Sequence, residues 1–184
     1  MKKALSVPLE EFLRPFFGPS ERICLRVFDD KKAGTFKGAK LETTLSGLPG
    51  LMDMLRKHNG QNRGIYFVVN YGGHEDAEIT RINAQFMECD ELSLDEQLDQ
   101  IEAFPLEPSF IVKTRKSLHT YWLVRDAKVE DFRRVQKGLA AKFGGDKTCI
   151  NESRVLRLPG FYHCKQEPVM VECIHFRPEL RYTQ

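Results

Sequence analysis

Apolar and polar positions change period several times along the chain, and each change marks an element. Between 22 and 28, Ile23, Leu25 and Val27 alternate with other residues, the two-residue period of a half-buried strand. Residues 64–70 are almost continuously apolar and predict a strand buried on both faces. Tyr71-Gly72-Gly73 ends it, and a polar loop runs to about Asn83. A second central strand is expected at 85–89. Two more, at 109–113 and 118–124, flank the tight basic turn Thr114-Arg115-Lys116-Ser117. Helices are predicted at 8–16, with Phe12, Phe16 and Phe17 on its apolar side, at 47–58 (Leu51, Met54 and Leu55) and at 94–103. A longer helix over 129–143 is closed by Gly144 and Gly145, where helices end. Residues 31–40, with Gly34 and Gly38, read as a loop or hairpin turn, and 169–176 as a last strand. The interleaved order argues for α/β or α+β.

The 184 residues fit one domain, with a soft internal boundary near 92–108. Apolar residues make up 41% and charged residues 29%, the balance of a globular protein. The formal net charge is only +2, so any grip on phosphates must come from charge focused locally. No apolar run reaches the length of a membrane span, and Pro8, Glu10 and Glu11 break any resemblance of the N-terminus to a signal peptide. Five scattered cysteines without a CxxC pair read as the reduced thiols of a cytoplasmic protein.

Three constellations could carry chemistry. Glu88 and Asp90 are two apart at the end of an apolar strand, so both carboxylates share a face. Their repulsion is relieved by Mg²⁺ or Mn²⁺, or simply by hydration at a frayed strand end. Next, Ser117 and His119 share a face beside Lys113, Arg115 and Lys116, a possible triphosphate cradle or an exposed basic hairpin. Last, Asp146 just past a helix end is followed by Arg154, Arg157 and Lys165. An extended Arg-x-x-Arg places the arginines on opposite faces; a turn brings them together. The bland version is a capping aspartate and surface ion pairs. Zinc is not expected, because His163, Cys164, Cys173 and His175 have poor finger spacing. Gly72-Gly73 lacks the context of a phosphate loop, His74 reads as an idle loop histidine, and Trp122 as core.

Together and in this order, the constellations resemble the archaeo-eukaryotic primase superfamily, and within it the RepB-like primases and primase-polymerases of plasmids, phages and phage satellites. The stretch Arg154-Val155-Leu156-Arg157-Leu158-Pro159-Gly160 followed by Lys165 is the most specific part. The similarity spans roughly 64–165. It implies an α+β fold in which an N-terminal α/β module packs on an RRM-like module, with the active site in the cleft between them. It implies a two-metal site for Mg²⁺ or Mn²⁺ on Glu88, Asp90 and Asp146. Ser117, His119, Arg154, Arg157 and Lys165 would bind the incoming NTP or dNTP. Lys113, Arg115 and Lys116 would hold phosphates of a single-stranded DNA template. A replicative helicase, separate or fused, is the expected partner, since relatives often continue into a priming or helicase domain. Glu88 stands where many members carry Asp, and His163 where many carry Asn, so His163 is given no role.

Two other readings use the same residues. One is a non-catalytic single-strand-binding module on this scaffold, whose mark would be loss of an acid or of His119. The other is a two-metal nuclease, which has no need of the Ser-x-His cradle.

Overall fold

A computed structural model describes residues 5, 7–32, 34, 36–145 and 148–184. Two sheets dominate it, the first antiparallel and the second mixed. The first has the order β2-β1-β3-β7, from Ile23–Asp29 (β1), Ala39–Thr43 (β2), Arg63–Val68 (β3) and Val155–Arg157 (β7). The second is built on Ala84–Met87 (β4), Phe110–Lys113 (β5), Leu118–Arg125 (β6), Glu172–Phe176 (β10) and Tyr182–Thr183 (β11). Here β6 pairs with β5 and β4, and in parallel with β11. A small hairpin joins Tyr162–His163 (β8) to Val169–Met170 (β9). The chain is therefore an α+β protein, one of the two classes its interleaved patterning leaves open and the one the resemblance implies. Strand pairing passes over the 92–108 stretch in both directions: β4 joins strands that follow it, and β7 joins strands that precede it.

Among the described residues, four α-helices cover the sheets: Leu9–Leu13 (α1), Leu48–Gly60 (α2), Leu94–Glu102 (α3) and Val129–Phe143 (α4). Ser93 caps α3 through a reciprocal bond pair with Glu96, which satisfies two otherwise orphaned N–H groups. Gly144 ends α4 at φ 61°, the left-handed conformation that a side chain disfavours.

The core is continuous between the sheets. Phe12 of α1 and the following Phe16 lie against Phe67 of β3, Phe110 of β5 and Tyr121 of β6, with ring centroids 5.4–6.3 Å apart. All five rings are at most 2% exposed. Burial of each contributes roughly 1.5–3 kcal/mol. A satellite cluster under α3 and α4 holds Trp122, Phe143, Ile101 and Met87.

Two departures from the patterning bear on the site. Part of the expected 31–40 loop and the residues after it form β2, an edge strand whose burial only alternates. The acid-bearing strand stops at Met87 rather than at 89. The Cys89 N–H donates instead to Ser117 Oγ at 3.2 Å, so the segment that carries the two acids peels away from the ladder.

Candidate active site

The two sheets leave a cleft of about 660 Å³ between them. Glu88, Asp90, Thr114 and His119 line it from the second sheet, and Phe28, Asp30, Tyr66 and Arg157 from the first. Arg154, His163 and Lys165 also line it, as do Lys32, Phe36 and Lys37.

Glu88 owes its place to β4. In the β4–β6 register Phe86 faces Tyr121 and Met87 faces Thr120, so the next pair outward is Glu88 and His119. His119 Nε2 lies 3.2 Å from Glu88 Oε2. The strand itself is anchored by the buried Gln136 of α4, whose side chain accepts from the Phe86 N–H and donates to the Phe86 carbonyl. Burial by itself would push the Glu88 carboxyl up. The hydrogen bond and charge of His119, the charge of Arg154 and a bond from the Cys149 side chain outweigh it and hold the group below its ordinary value. Glu88 is thus a charged, largely sequestered carboxylate, and Asp90 beyond it is exposed.

Ser117 does not line the cleft. It is 1% exposed, and its hydroxyl is spent on the backbone between the two acids. Buried Gln97 of α3 extends this brace. It donates to the carbonyls of Leu92 and Lys116 and accepts from the Leu118 N–H, each at 2.8 Å. The acid loop and the Ser-x-His strand are thereby tied to one side chain. His119, in contrast, faces the cleft, and its buried Nδ1 has no hydrogen-bond partner among the described residues.

The opposite wall contains a group that the sequence reading missed. Asp30, at the end of β1, makes a two-pronged ion pair with Arg157 at 3.0 and 2.8 Å. Both side chains are at most 5% exposed. Asp30 also accepts from the Cys164 N–H at 2.8 Å, and the Arg157 guanidinium lies 4.6 Å over the Tyr66 ring. Burial works to raise the Asp30 carboxyl, but these contacts prevail and lower it. The pair needs Gly64: a Cβ there would come within 2.6 Å of Arg157 Nη1 and 2.7 Å of Asp30 Oδ1. In the sequence, Asp29-Asp30-Lys31-Lys32 looks like a solvated turn, and only the alternation of β1 hints that one of these acids turns inward.

Arg154, just ahead of β7, donates to the Thr148 carbonyl and lines the same cleft as Arg157. Lys165 is an exposed rim cation. Lys113, Arg115 and Lys116 lie outside the lining. Lys113 faces Glu172 across the β5–β10 ladder, and Arg115 is engaged by Gln166 and the Glu167 carbonyl. Asp146 lies outside the described residues; its neighbour Gly145 approaches the Glu88 carbonyl so closely that a Cβ would be 2.9 Å from it. His163, given no role from sequence, is 7% exposed on the cleft wall, and neither ring nitrogen has a hydrogen-bond partner among the described residues. Burial, then the charge of Arg157, lowers its pKa to about 4, so the ring is neutral near pH 7.

The donor set suits a hard divalent cation. Glu88 and Asp90 offer carboxylate oxygens on one wall, Glu88 is held in its charged form, and cations stand across the gap where phosphate oxygens would sit. The zinc ligands weighed from sequence, His163, Cys164, Cys173 and His175, are not brought together as a cluster. All five cysteines are buried, and none forms a disulfide. Among the described residues, no helix is long and apolar enough to cross a membrane.

Residues 73–179, more than half of the chain, match the family model described as the RepB DNA-primase N-terminal domain. Among solved structures, the AEP domain of the Cyanophage S-2L primase-polymerase superposes with a TM-score of 0.76 at 28% identity, covering 91% of each chain. The catalytic domain of primase RepB′ in complex with initiator DNA gives 0.66 at 19% identity, over 90% of this chain and 81% of that one. A second structure of primase RepB′ gives 0.64 at 18% identity, over 90% and 53%. These last two are likenesses of fold. No curated protein matches the chain. The structural likenesses take in about nine-tenths of the chain, whereas the family model begins only after β3.

Proposed function

The chain belongs to the RepB DNA-primase N-terminal domain family, and from that premise we propose that it catalyses template-directed nucleotidyl transfer, building a strand from NTPs or dNTPs on single-stranded DNA. The observation that carries this reading is the cleft itself. Two carboxylates, one of them braced by His119, face Arg154, Arg157 and Lys165 across a gap between the two sheets. A nucleoside triphosphate has complementary needs, a metal-binding wall and a cationic wall.

Glu88 and Asp90, with Asp146 proposed as the third acid, would hold two Mg²⁺ or Mn²⁺ ions, which supply charge stabilisation at the reacting phosphate and lower the pKa of the attacking 3′-hydroxyl. The chain's own residues do the rest. His119 fixes the Glu88 carboxylate through Nε2 and offers Nδ1 to a triphosphate oxygen. Arg157, held by Asp30, still has donors to spare on a guanidinium that cannot swing away. Arg154 and Lys165 neutralise the remaining phosphate charge at the mouth. Ser117 and Gln97 act on the reaction only by holding the acid loop in place. Initiator DNA is bound in the RepB′ complex, and a single-stranded template is the corresponding ligand proposed here.

The test is synthesis on single-stranded DNA with Mn²⁺ or Mg²⁺ and labelled NTPs or dNTPs, with and without a primer. Products without a primer establish a primase, and products only with one establish a polymerase that extends. The variant Glu88→Ala/Asp90→Ala should make no product yet keep its single-strand binding. Binding without synthesis by the unmodified chain would leave a binding module, and strand degradation in place of synthesis would mean a nuclease.

A further inference from the structure

A second cluster of metal-ligating side chains lies away from the cleft. Cys24 and Glu42 face each other across the β1–β2 ladder. Above them stands His74, from the loop after β3. One ligand atom from each of the three lies within 4.8 Å of the others, and His74 Nε2 is 3.7 Å from Glu42 Oε1. None of the three lines the cleft. Phe28, where β1 reaches it, is four residues on from Cys24, roughly 13 Å along the strand.

Several features make this more than a chance meeting of polar groups. His74 is 8% exposed, and neither ring nitrogen has a hydrogen-bond partner among the described residues. A buried imidazole with two unmet nitrogens is costly unless something else uses one of them. The loop that delivers it is tightly made. The N–H groups of His74 and Glu75 both donate to Glu78 Oε2, at 2.8 and 2.9 Å. Gly72 turns at φ 150°, where a Cβ would lie 2.0 Å from the Glu78 carbonyl oxygen. Cys24 is 4% exposed, and its sulfur is the soft donor of the set. A thiolate, a carboxylate and a neutral imidazole together carry two negative charges, which a divalent cation cancels. The competing contact is slight: Arg22 Nη1 is 3.5 Å from Glu42 Oε1 in a half-exposed ion pair.

We propose that Cys24, Glu42 and His74 form a site for a borderline-soft divalent cation of the zinc class, with a fourth position left for water. Sulfur and nitrogen ligands select against Mg²⁺, so the site is chemically separate from the all-oxygen set at the cleft. The bound ion would pin the 72–83 loop, which leads directly into the acid-bearing strand β4, onto the β1–β2 edge.

The test uses the full chain after exhaustive chelation, titrated with Co²⁺ alone and then with Zn²⁺. Thiolate-to-cobalt charge transfer should appear with the intense visible bands of tetrahedral Co²⁺, and one Zn²⁺ per chain should bleach them. The signal should persist in Glu88→Ala/Asp90→Ala, which removes the cleft's acids, and vanish in Cys24→Ser. His74→Gln, a change in a loop, should weaken Co²⁺ binding by at least about tenfold while circular dichroism stays unchanged. Zn²⁺ should raise the Tm of the unmodified chain and not that of His74→Gln. No thiolate band in the folded chain, a band that survives Cys24→Ser, or unchanged affinity in His74→Gln would overturn the proposal; the last decides the matter even if Cys24→Ser fails to fold.

Discussion

Glu88, one residue past the end of β4, and His119 of β6 stand where the Met87–Thr120 register would continue, their Oε2 and Nε2 atoms 3.2 Å apart. A motif read as two separate features, an acidic pair and a Ser-x-His, is therefore one cross-strand unit. His119→Ala removes the unmet Nδ1 as well as the brace. The apparent KM for NTP should rise by at least about tenfold, the value of a charge-assisted hydrogen bond. Steady-state kinetics over a range of NTP concentrations checks this, and an unchanged KM would remove His119 from the triphosphate site.

The Asp30–Arg157 pair gives a prediction about stability. Asp30→Ala leaves a buried guanidinium without its partner and should destabilise the fold by about 3–5 kcal/mol. Adding Arg157→Met should recover much of that loss, because no buried charge remains. Urea unfolding of the two variants measures both effects. A double variant no more stable than Asp30→Ala alone would mean that the pair is not what the wall depends on.

Gln97 touches no proposed ligand, yet it should matter. Gln97→Leu keeps the bulk but leaves two carbonyls and one N–H unmet in the interior, a loss of about 2–3 kcal/mol. It should also lower kcat more than it raises KM, since it loosens the segment that carries Glu88 and Asp90 without touching the cationic wall. A purely structural effect would lower Tm and spare kcat in the fraction that remains folded.

His163 predicts a pH dependence. Its pKa in the folded chain is about 4, against 6.5 for a free imidazole. As pH falls below 6.5, the unfolded chain takes up a proton that the folded chain refuses until near 4. Stability is therefore full above 6.5, declines through this window, and has lost up to about 3 kcal/mol at its lower end. His163→Asn should flatten the curve over the same range in urea midpoints. An equally steep curve in the variant would assign the loss to other groups.

Periodicity showed the strands that are buried on at least one face, because alternation or continuous apolarity survives in the residues themselves. It did not show β2, whose half-exposed edge carries little pattern, nor the three-residue β7, which is shorter than any reliable window. Among the candidate residues, Glu88, Asp90, His119, Arg154, Arg157 and Lys165 do meet in one cleft. Ser117 was legible as a neighbour of His119 but not as a brace, since the sequence does not show that its hydroxyl is spent on the Cys89 N–H. Asp30 escaped notice, and His74 read as an idle loop histidine, for a shared reason. Each owes its surroundings to strand pairing between distant segments, and in sequence each sits in a polar stretch that resembles an ordinary turn.

The aromatic junction of Phe12, Phe16, Phe67, Phe110 and Tyr121 has a thermodynamic consequence. Rings from both sheets share one dry contact, so neither sheet can open without exposing the face of the other. Amide protons in β1 and in β6 should then exchange with a common opening free energy, and heat should melt the chain in a single transition. A cleft walled by two sheets that unfold only together has its width set by the core behind it.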